Sequence, residues 1–464
     1  MSFVFESRRD GLSTNKITTM NYPLDKNLVD NVCGAFGLMD AHELGNATIR
    51  QMVGIVREIE RQADCEYVHM ELGNPGLPAE QIGIEAQVAA LRAGCANQYP
   101  LITGIPQLTA AASEFIRAFL GISIPEECIV PTVGSMQGCY ALDTLISQLR
   151  PDRDTILFLD PCFPVQKQQS RVIGLKVDSI DIGDFRGDKL RDALEQKLQK
   201  GNISAILYSN PNNPSWMCLT EDELRIIGRL ANRYDTIVIE DVAYLNMDFR
   251  DPNRGKPYQA PFQPTIGRYT MNCVHLVSCS KIFSYAGERA AVIAVNPDLA
   301  HRHFPALTKR YNSDGQFMRT LVYQILYAIS SGVSHSVQYA MAAMMKAAAE
   351  GKINFVQNTH VYADKAHRIK QIMEKHHFHV VYDKDANDQP VGDGFFFTFT
   401  YRNWTGEQLL NKLIYYGVSA ISLVSTGAKR EGMRGCAASI REDQFPALDE
   451  RLALFDRDFS SAEE

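Results

Sequence analysis

The chain has 464 residues, too many for one small domain and enough to bury a sizeable core. Apolar residues make up 45% and charged residues 22%, the balance of a soluble globular enzyme, and a net charge of −7 without a lysine–arginine block argues against nucleic-acid binding. The ten cysteines form no Cys-x-x-Cys pair, which argues against a zinc ribbon or a thioredoxin-like site and fits buried thiols in a reducing, cytoplasmic setting.

The first forty or so residues look irregular, and Met1–Asp10 has no apolar core of signal-peptide length. A helix is predicted from a cap at Asn46 through Gln62, with Ile49, Met52, Val53, Val56 and Ile59 on one stripe. Gly73–Pro78 is a turn cluster, so a boundary is placed near it. Short apolar runs of strand length then recur at Ile129–Val130, Thr155–Leu159, Ala205–Tyr208, Thr236–Ile239, Val274–Val277 and Ala290–Val295. Helical stretches at Leu190–Gln199 and Glu221–Arg233 lie between some of them, the second capped by Thr220 with Glu223 in a capping box. Continuous apolar strands alternating with amphipathic helices predict an α/β layer: a mostly parallel sheet sandwiched by helices. Ala290–Val295 follows its predecessor so closely that it is expected to run antiparallel.

Phe317–Ala349 is apolar but broken by polar residues, and reads as two buried helices, not a membrane span. Met341, Met344 and Met345 are expected to pack one of them. After Gln338 the composition shifts: helices are read at about Val337–Glu350 and Ile353–Lys375, a polar loop at Asp383–Asp393, a strand at Phe395–Phe399, a helix at Thr405–Tyr416 and a strand at Val418–Leu423. This portion reads as a smaller α+β domain. His376, His377 and His379 lack carboxylate or cysteine partners at ligand spacing, so a solvated helix end is expected there, and no metal site.

Ligands of open α/β sheets bind beyond the carboxyl ends of the strands, and chemistry-bearing residues gather at those ends. Gly134-Ser135-Met136 follows one strand, Asp160-Pro161-Cys162-Phe163 another, and Asn213, Asp241-Val242-Ala243-Tyr244 and Ser278-Cys279-Ser280-Lys281 three more, with Arg289 downstream. In this order and spacing the chain resembles the fold-type I pyridoxal phosphate enzymes, in particular the class I/II aminotransferases, over roughly Glu71 to Arg441.

The resemblance implies the following roles. Lys281 carries pyridoxal 5'-phosphate as a Schiff base and, once displaced by substrate, shuttles the α-proton. Asp241 pairs with the pyridine nitrogen, so that the ring acts as an electron sink. Asn213 and Tyr244 hold the ring hydroxyl, and Phe163 stacks on the ring. Ser135 and Met136 offer backbone N–H groups to the phosphate at a helix N-terminus, together with Ser278 and Arg289. Tyr99 reaches the phosphate of a neighbouring subunit, which implies a homodimer with shared sites. Arg434 clamps the substrate α-carboxylate, with Arg430 and Arg441 as rivals, and Gly73 lies near the substrate. Residues 71–335 form the large coenzyme-binding domain; 1–70 and 336–464 form the smaller one. The expected activity is transfer of an amino group between an amino acid and a 2-oxo acid.

Two positions depart from the family pattern. Trp216 stands where many members have a turn glycine, and it is a candidate for narrowing the mouth of the site. Cys162-Phe163 replaces a small residue and a tyrosine. Lys309 and Arg310 are candidates for a second cation opposite Arg434. The same motifs also serve β-lyases, decarboxylases and carbon–carbon bond-forming enzymes, which start from the same coenzyme adduct. A non-catalytic coenzyme-binding regulator would need a partner domain. A nucleotide-dependent dehydrogenase would need a Gly-x-Gly-x-x-Gly, which is absent.

Overall fold

A computed structural model of the chain describes residues 22–460; the expectation for Met1–Asp10 lies outside them. The apolar runs condense into one seven-stranded sheet. Its order is Ile129–Val133, Ala290–Val295, Cys273–Ser278, Ile237–Asp241, Ile203–Ser209, Thr155–Asp160 and Lys176–Asp181. All neighbours run parallel except that Ala290–Val295 is antiparallel to both of its partners, as its short connection requires. Strands 155–160, 203–209, 237–241, 273–278 and 290–295 are buried at every position. Their unbroken apolar sequences follow from helices covering both faces of the sheet. The strand Lys176–Asp181 was not anticipated. It is an edge strand whose first four residues are exposed or half-buried, so Lys-Val-Asp-Ser-Ile-Asp carries no apolar run.

Helix His335–Ala349 lies against Gln81–Arg92 and Pro106–Leu120, and Met341, Met344 and Met345 are buried in that contact. Gly83 lets the helices approach: a Cβ there would sit 2.7 Å from the Met344 sulfur. This helix belongs to the larger core, whereas the smaller core is built from Leu24–Met70 and from Ala366 onward.

The smaller unit differs from expectation in several places. Thr48, two residues after the expected Asn46, caps the helix Ile49–Ala63 through a capping box with Gln51, its hydroxyl accepting from the third N–H. The helix expected over Ile353–Lys375 forms as Phe355–Thr359 and Val361–Lys375, with His360 closing a tight turn onto Gln357. The single strand expected at Val418–Leu423 is two. Val418–Ser419 pairs with Val68–His69, and Ile421–Ser422 pairs with Met433–Cys436, so the chain changes sheets at Ala420. Met433–Cys436 also pairs with Phe396–Tyr401. His376 and His377 face Asp449 and Asp456 of the last helix. Among the described residues, no helix is long and apolar enough to cross a membrane.

Candidate active site

The strands ending at Val133, Asp160, Ser209, Asp241 and Ser278 point the same way, so their carboxyl ends share one edge of the sheet. Directly after Ser278 the chain turns into the short helix Cys279–Ile282, with the Ser278 hydroxyl accepting from Ser280 N at 3.2 Å. That turn delivers Lys281. Its Nζ donates to the Gly73 carbonyl and lies 5.1 Å from the centre of the Phe395 ring. Burial lowers the amine's pKa to about 8; Arg434 and Arg289 push the same way, against Cys436.

A lowered pKa makes the neutral, nucleophilic amine the dominant form above pH 8. In coenzyme-free protein, the rate at which a small acylating reagent labels Lys281 should therefore rise through pH 8 and level off. Labelling read by peptide mass spectrometry checks this; a rise that continues through about pH 10.4, as for an exposed lysine, would contradict it.

Asp241 closes its strand as a buried carboxylate. Ala243 N donates to Oδ1 at 3.1 Å and Gln166 Nε2 to Oδ2 at 3.1 Å. Burial raises its pKa to about 6, and these two donors work against the rise. A cation seated against it would pull the value back down. Asn213 Nδ2 donates to the Tyr244 hydroxyl at 3.3 Å, and Asn213 N donates to Ser209 Oγ at 3.1 Å. Burial, with Asp241 nearby, holds the Tyr244 phenol far above its ordinary range.

Gly134 opens the helix Gly134–Ile146 at φ +68°, and a Cβ there would lie 2.4 Å from Arg289 Nη2. The guanidinium thus rests against the amino end of that helix, where the N–H groups of Ser135 and Met136 have no intrahelical acceptor. A guanidinium beside free helix N–H groups is a cradle for an anion such as phosphate. Phe163 is half-buried and precedes the helix Pro164–Ile173, whose Gln166 is the residue on Asp241.

Arg434 comes from the smaller unit, on strand Met433–Cys436, and is 2% exposed. Its Nη2 donates to the Glu71 carbonyl, and its guanidinium carbon is 4.6 Å from the centre of the Phe396 ring. Arg434 Nε is buried without a hydrogen-bond partner among the described residues, as expected of a fork waiting for an acceptor. Arg430 is engaged with Gly183, Asp184 and Val381, and Arg441 with Glu66 and Asp443. Neither rival is aimed at the cleft.

The three residues Glu71-Leu72-Gly73 therefore collect both cations, Arg434 on one carbonyl and Lys281 on another. Phe395 and Phe396, 4.9 Å apart, lie beside the same two cations and contact Tyr244. Lys281, Gly73, Arg434, Asp241, Asn213 and Tyr244 thus converge, with Ser135, Met136, Ser278 and Arg289 at the neighbouring strand ends. Tyr99 does not join them: it is 94% exposed, in a groove it shares with Ser330–Ser336.

Two expectations are corrected. Lys309 and Arg310 are exposed on the helix Pro305–Tyr311, and Tyr311 bonds Gln148 beyond the far end of Gly134–Ile146. At 1.5 Å per residue that end is roughly 20 Å from the cradle, so neither residue opposes the Arg434 of its own chain. Trp216 does not narrow the mouth. It is 1% exposed, adopts φ +62° in place of the turn glycine, and packs edge-on to Tyr244 at 5.3 Å. Gln166, Glu71, Phe395 and Phe396 went unnoticed in the sequence. Gln166 alone had a signal, standing one helical turn beyond the aromatic of the Asp160–Phe163 turn.

The donor set fits a phosphorylated pyridine aldehyde: a desolvated amine, a buried carboxylate, an amide–phenol pair and an anion cradle. Residues 73–452 match the family described as Aminotransferase class I and II. An aspartate aminotransferase of Pyrococcus horikoshii is 27% identical over 244 residues, 51% of this chain and 58% of that one, so the match spans little more than half of that relative. An LL-diaminopimelate aminotransferase of Natranaerobius thermophilus is 22% identical over 427 residues, 90% of this chain and 100% of its own. The structure of aspartate aminotransferase from Thermus thermophilus with maleate superimposes with a TM-score of 0.71 at 17% identity, covering 88% of this chain and 96% of that one. By the extent of the family match and the shared fold, the chain belongs to the class I and II aminotransferases.

Proposed function

We propose that this protein is a pyridoxal phosphate-dependent aminotransferase that moves an amino group between an amino acid and a 2-oxo acid. The observation that carries the reading is the convergence of Lys281 and Arg434 on Glu71-Leu72-Gly73, with the buried Asp241 carboxylate at the end of the strand next to the one that delivers Lys281. When bound, the coenzyme supplies an electron sink for the carbanion left by α-proton removal. Ser135, Met136, Ser278 and Arg289 hold its phosphate, Asn213 and Tyr244 its ring hydroxyl, Asp241 its ring nitrogen, and Phe163 its face.

The chain's own groups do the rest. Arg434 Nε and Nη2 receive the substrate α-carboxylate, which fixes the amino acid by one end. Lys281 Nζ, neutral above pH 8, takes the α-proton and returns it. Phe396 shields the Arg434 guanidinium from water, which strengthens its interaction with a carboxylate, and Phe395 covers the Lys281 amine. The reading includes a homodimer with shared sites. It is supported by Tyr99 standing exposed, with Leu101, Tyr323, Tyr327 and Ile329 also exposed, near the Ser330 that accepts from Gln137 at the cradle's rim. It also includes a cytoplasmic location, supported by ten free cysteines.

The test is product analysis with single amino acids, with and without a 2-oxo acid. Continuous turnover should require the acceptor, with one stoichiometric equivalent of keto acid formed in its absence. Sustained release of product from the amino acid alone would refute transfer in favour of lyase or decarboxylase chemistry.

A further inference from the structure

Glu71, whose carbonyl receives Arg434, is anchored at its other end by an ionic chain. His69 lies between two carboxylates, Nδ1 2.9 Å from Glu71 Oε1 and Nε2 3.0 Å from Glu60 Oε1. Glu71 Oε2 accepts from Ser419 Oγ at 2.5 Å, and Glu60 Oε1 also accepts from Tyr67 N at 2.8 Å. The backbone is stitched on both sides: Met70 N donates to Ser419 O at 2.9 Å, Cys436 N donates to Met70 O at 3.0 Å, and Ser439 Oγ donates to His69 O at 3.2 Å. The Glu71 side chain is only 1% exposed, against 33% for His69. Burial opposes charge on His69, but its two carboxylate partners outweigh it and raise the imidazole to about 10. The same partnership keeps Glu71 below its ordinary range in spite of its burial. A buried carboxylate stripped of its counter-ion must neutralise or turn toward water. Loss of the His69 contact leaves the Glu71 side chain held by Ser419 alone, so the residue whose carbonyl receives Arg434 is free to shift.

We propose that His69, clamped between Glu60 and Glu71, is a positioning residue that fixes the guanidinium of Arg434 for the substrate α-carboxylate. The inference rests on the reading of Arg434 as the carboxylate clamp. His69 sits on the strand Val68–His69, which joins the helix Ile49–Ala63 carrying Glu60 to the Glu71-Leu72-Gly73 segment. The chain of contacts thus runs from the outer helix of the smaller unit to the cleft.

The experiment uses holoenzyme and compares an amino acid donor with the matching primary amine that lacks the carboxylate. For His69→Leu, the half-reaction with the amino acid should show a KM raised about tenfold. The slow reaction of the amine and the visible spectrum of the bound coenzyme should be unchanged. Arg434→Ala should raise the same KM, and the double variant His69→Leu/Arg434→Ala should be no worse than Arg434→Ala alone. Equal losses with both donors, or additive losses in the double variant, would show a general structural role and overturn the proposal. Normal amino acid KM in His69→Leu with a raised KM in Arg434→Ala overturns the proposal alone; a normal KM in Arg434→Ala sinks the underlying reading. If His69→Leu fails to fold, Glu60→Gln, at the outer end of the clamp, should shift the amino acid KM about two- to threefold in the same direction, and an unchanged value there overturns the proposal.

Discussion

Lys281→Ala is expected to lose turnover by roughly three orders of magnitude, the scale of a positioned acid–base group, together with the visible absorbance of covalently held coenzyme. The cause is local. Lys281 is the one lysine of residues 273–282, and Arg434 remains charged over Phe396. Stability should hold or increase, because the substitution removes a desolvated amine whose pKa burial has lowered. Steady-state kinetics and a thermal melt on the same preparation separate the two effects. Retained turnover would contradict the role of Lys281, and a collapsed melting temperature would assign the loss to unfolding.

Asp241→Asn comes second, with an expected fall in kcat of roughly 10²- to 10³-fold, the range for removing one preorganised electrostatic partner. The amide keeps the shape of the carboxylate and a carbonyl for Ala243 N–H, so the backbone turn after the strand survives. What it loses is the charge that holds a proton on a ring nitrogen. The coenzyme-free protein gives a second readout. The folded carboxyl titrates at about 6 against 3.8 for its ordinary value, so the folded state binds more protons than the unfolded one between those limits. Asp241 therefore subtracts stability as pH rises from about 4 to 6, and Asp241→Asn should lack that decline. Urea melts at pH 4 and pH 6 measure it; parallel pH dependence in the two proteins would show that Asp241 is not desolvated.

Much of this was legible in the sequence because burial on both faces writes itself as unbroken apolar runs. The central strands follow from that rule, and their carboxyl ends mark where a ligand binds; the chemistry assigned to residues there comes from the family resemblance. The edge strand Lys176–Asp181 was not legible, since four of its six residues meet water. Nor was Met433–Cys436, whose Met-Arg-Gly-Cys sequence carries no apolar run and which pairs with Phe396–Tyr401. Ala420 hid a change of sheet that no local pattern marks. Ser135, Met136, Phe163, Asn213, Asp241, Tyr244, Ser278 and Lys281 stood out because each ends a strand or comes shortly after one. Glu71, Phe395 and Phe396 did not, because their part is set by contacts between distant segments: Phe396 and Glu71 meet only once Arg434 lies between them. Trp216 shows the converse. Its bulk suggested a barrier at the entrance, yet the turn after Asn213 directs it inward against Tyr244 and Gly394, the latter sparing a Cβ that would come within 2.2 Å of the indole.

The most direct test loads the purified protein with pyridoxal phosphate, reduces it with borohydride and maps the modified peptide by mass spectrometry. The expected result is one pyridoxyl group per chain, on Lys281. A label on another lysine, or none on a folded chain, would contradict the assignment on which every role above depends.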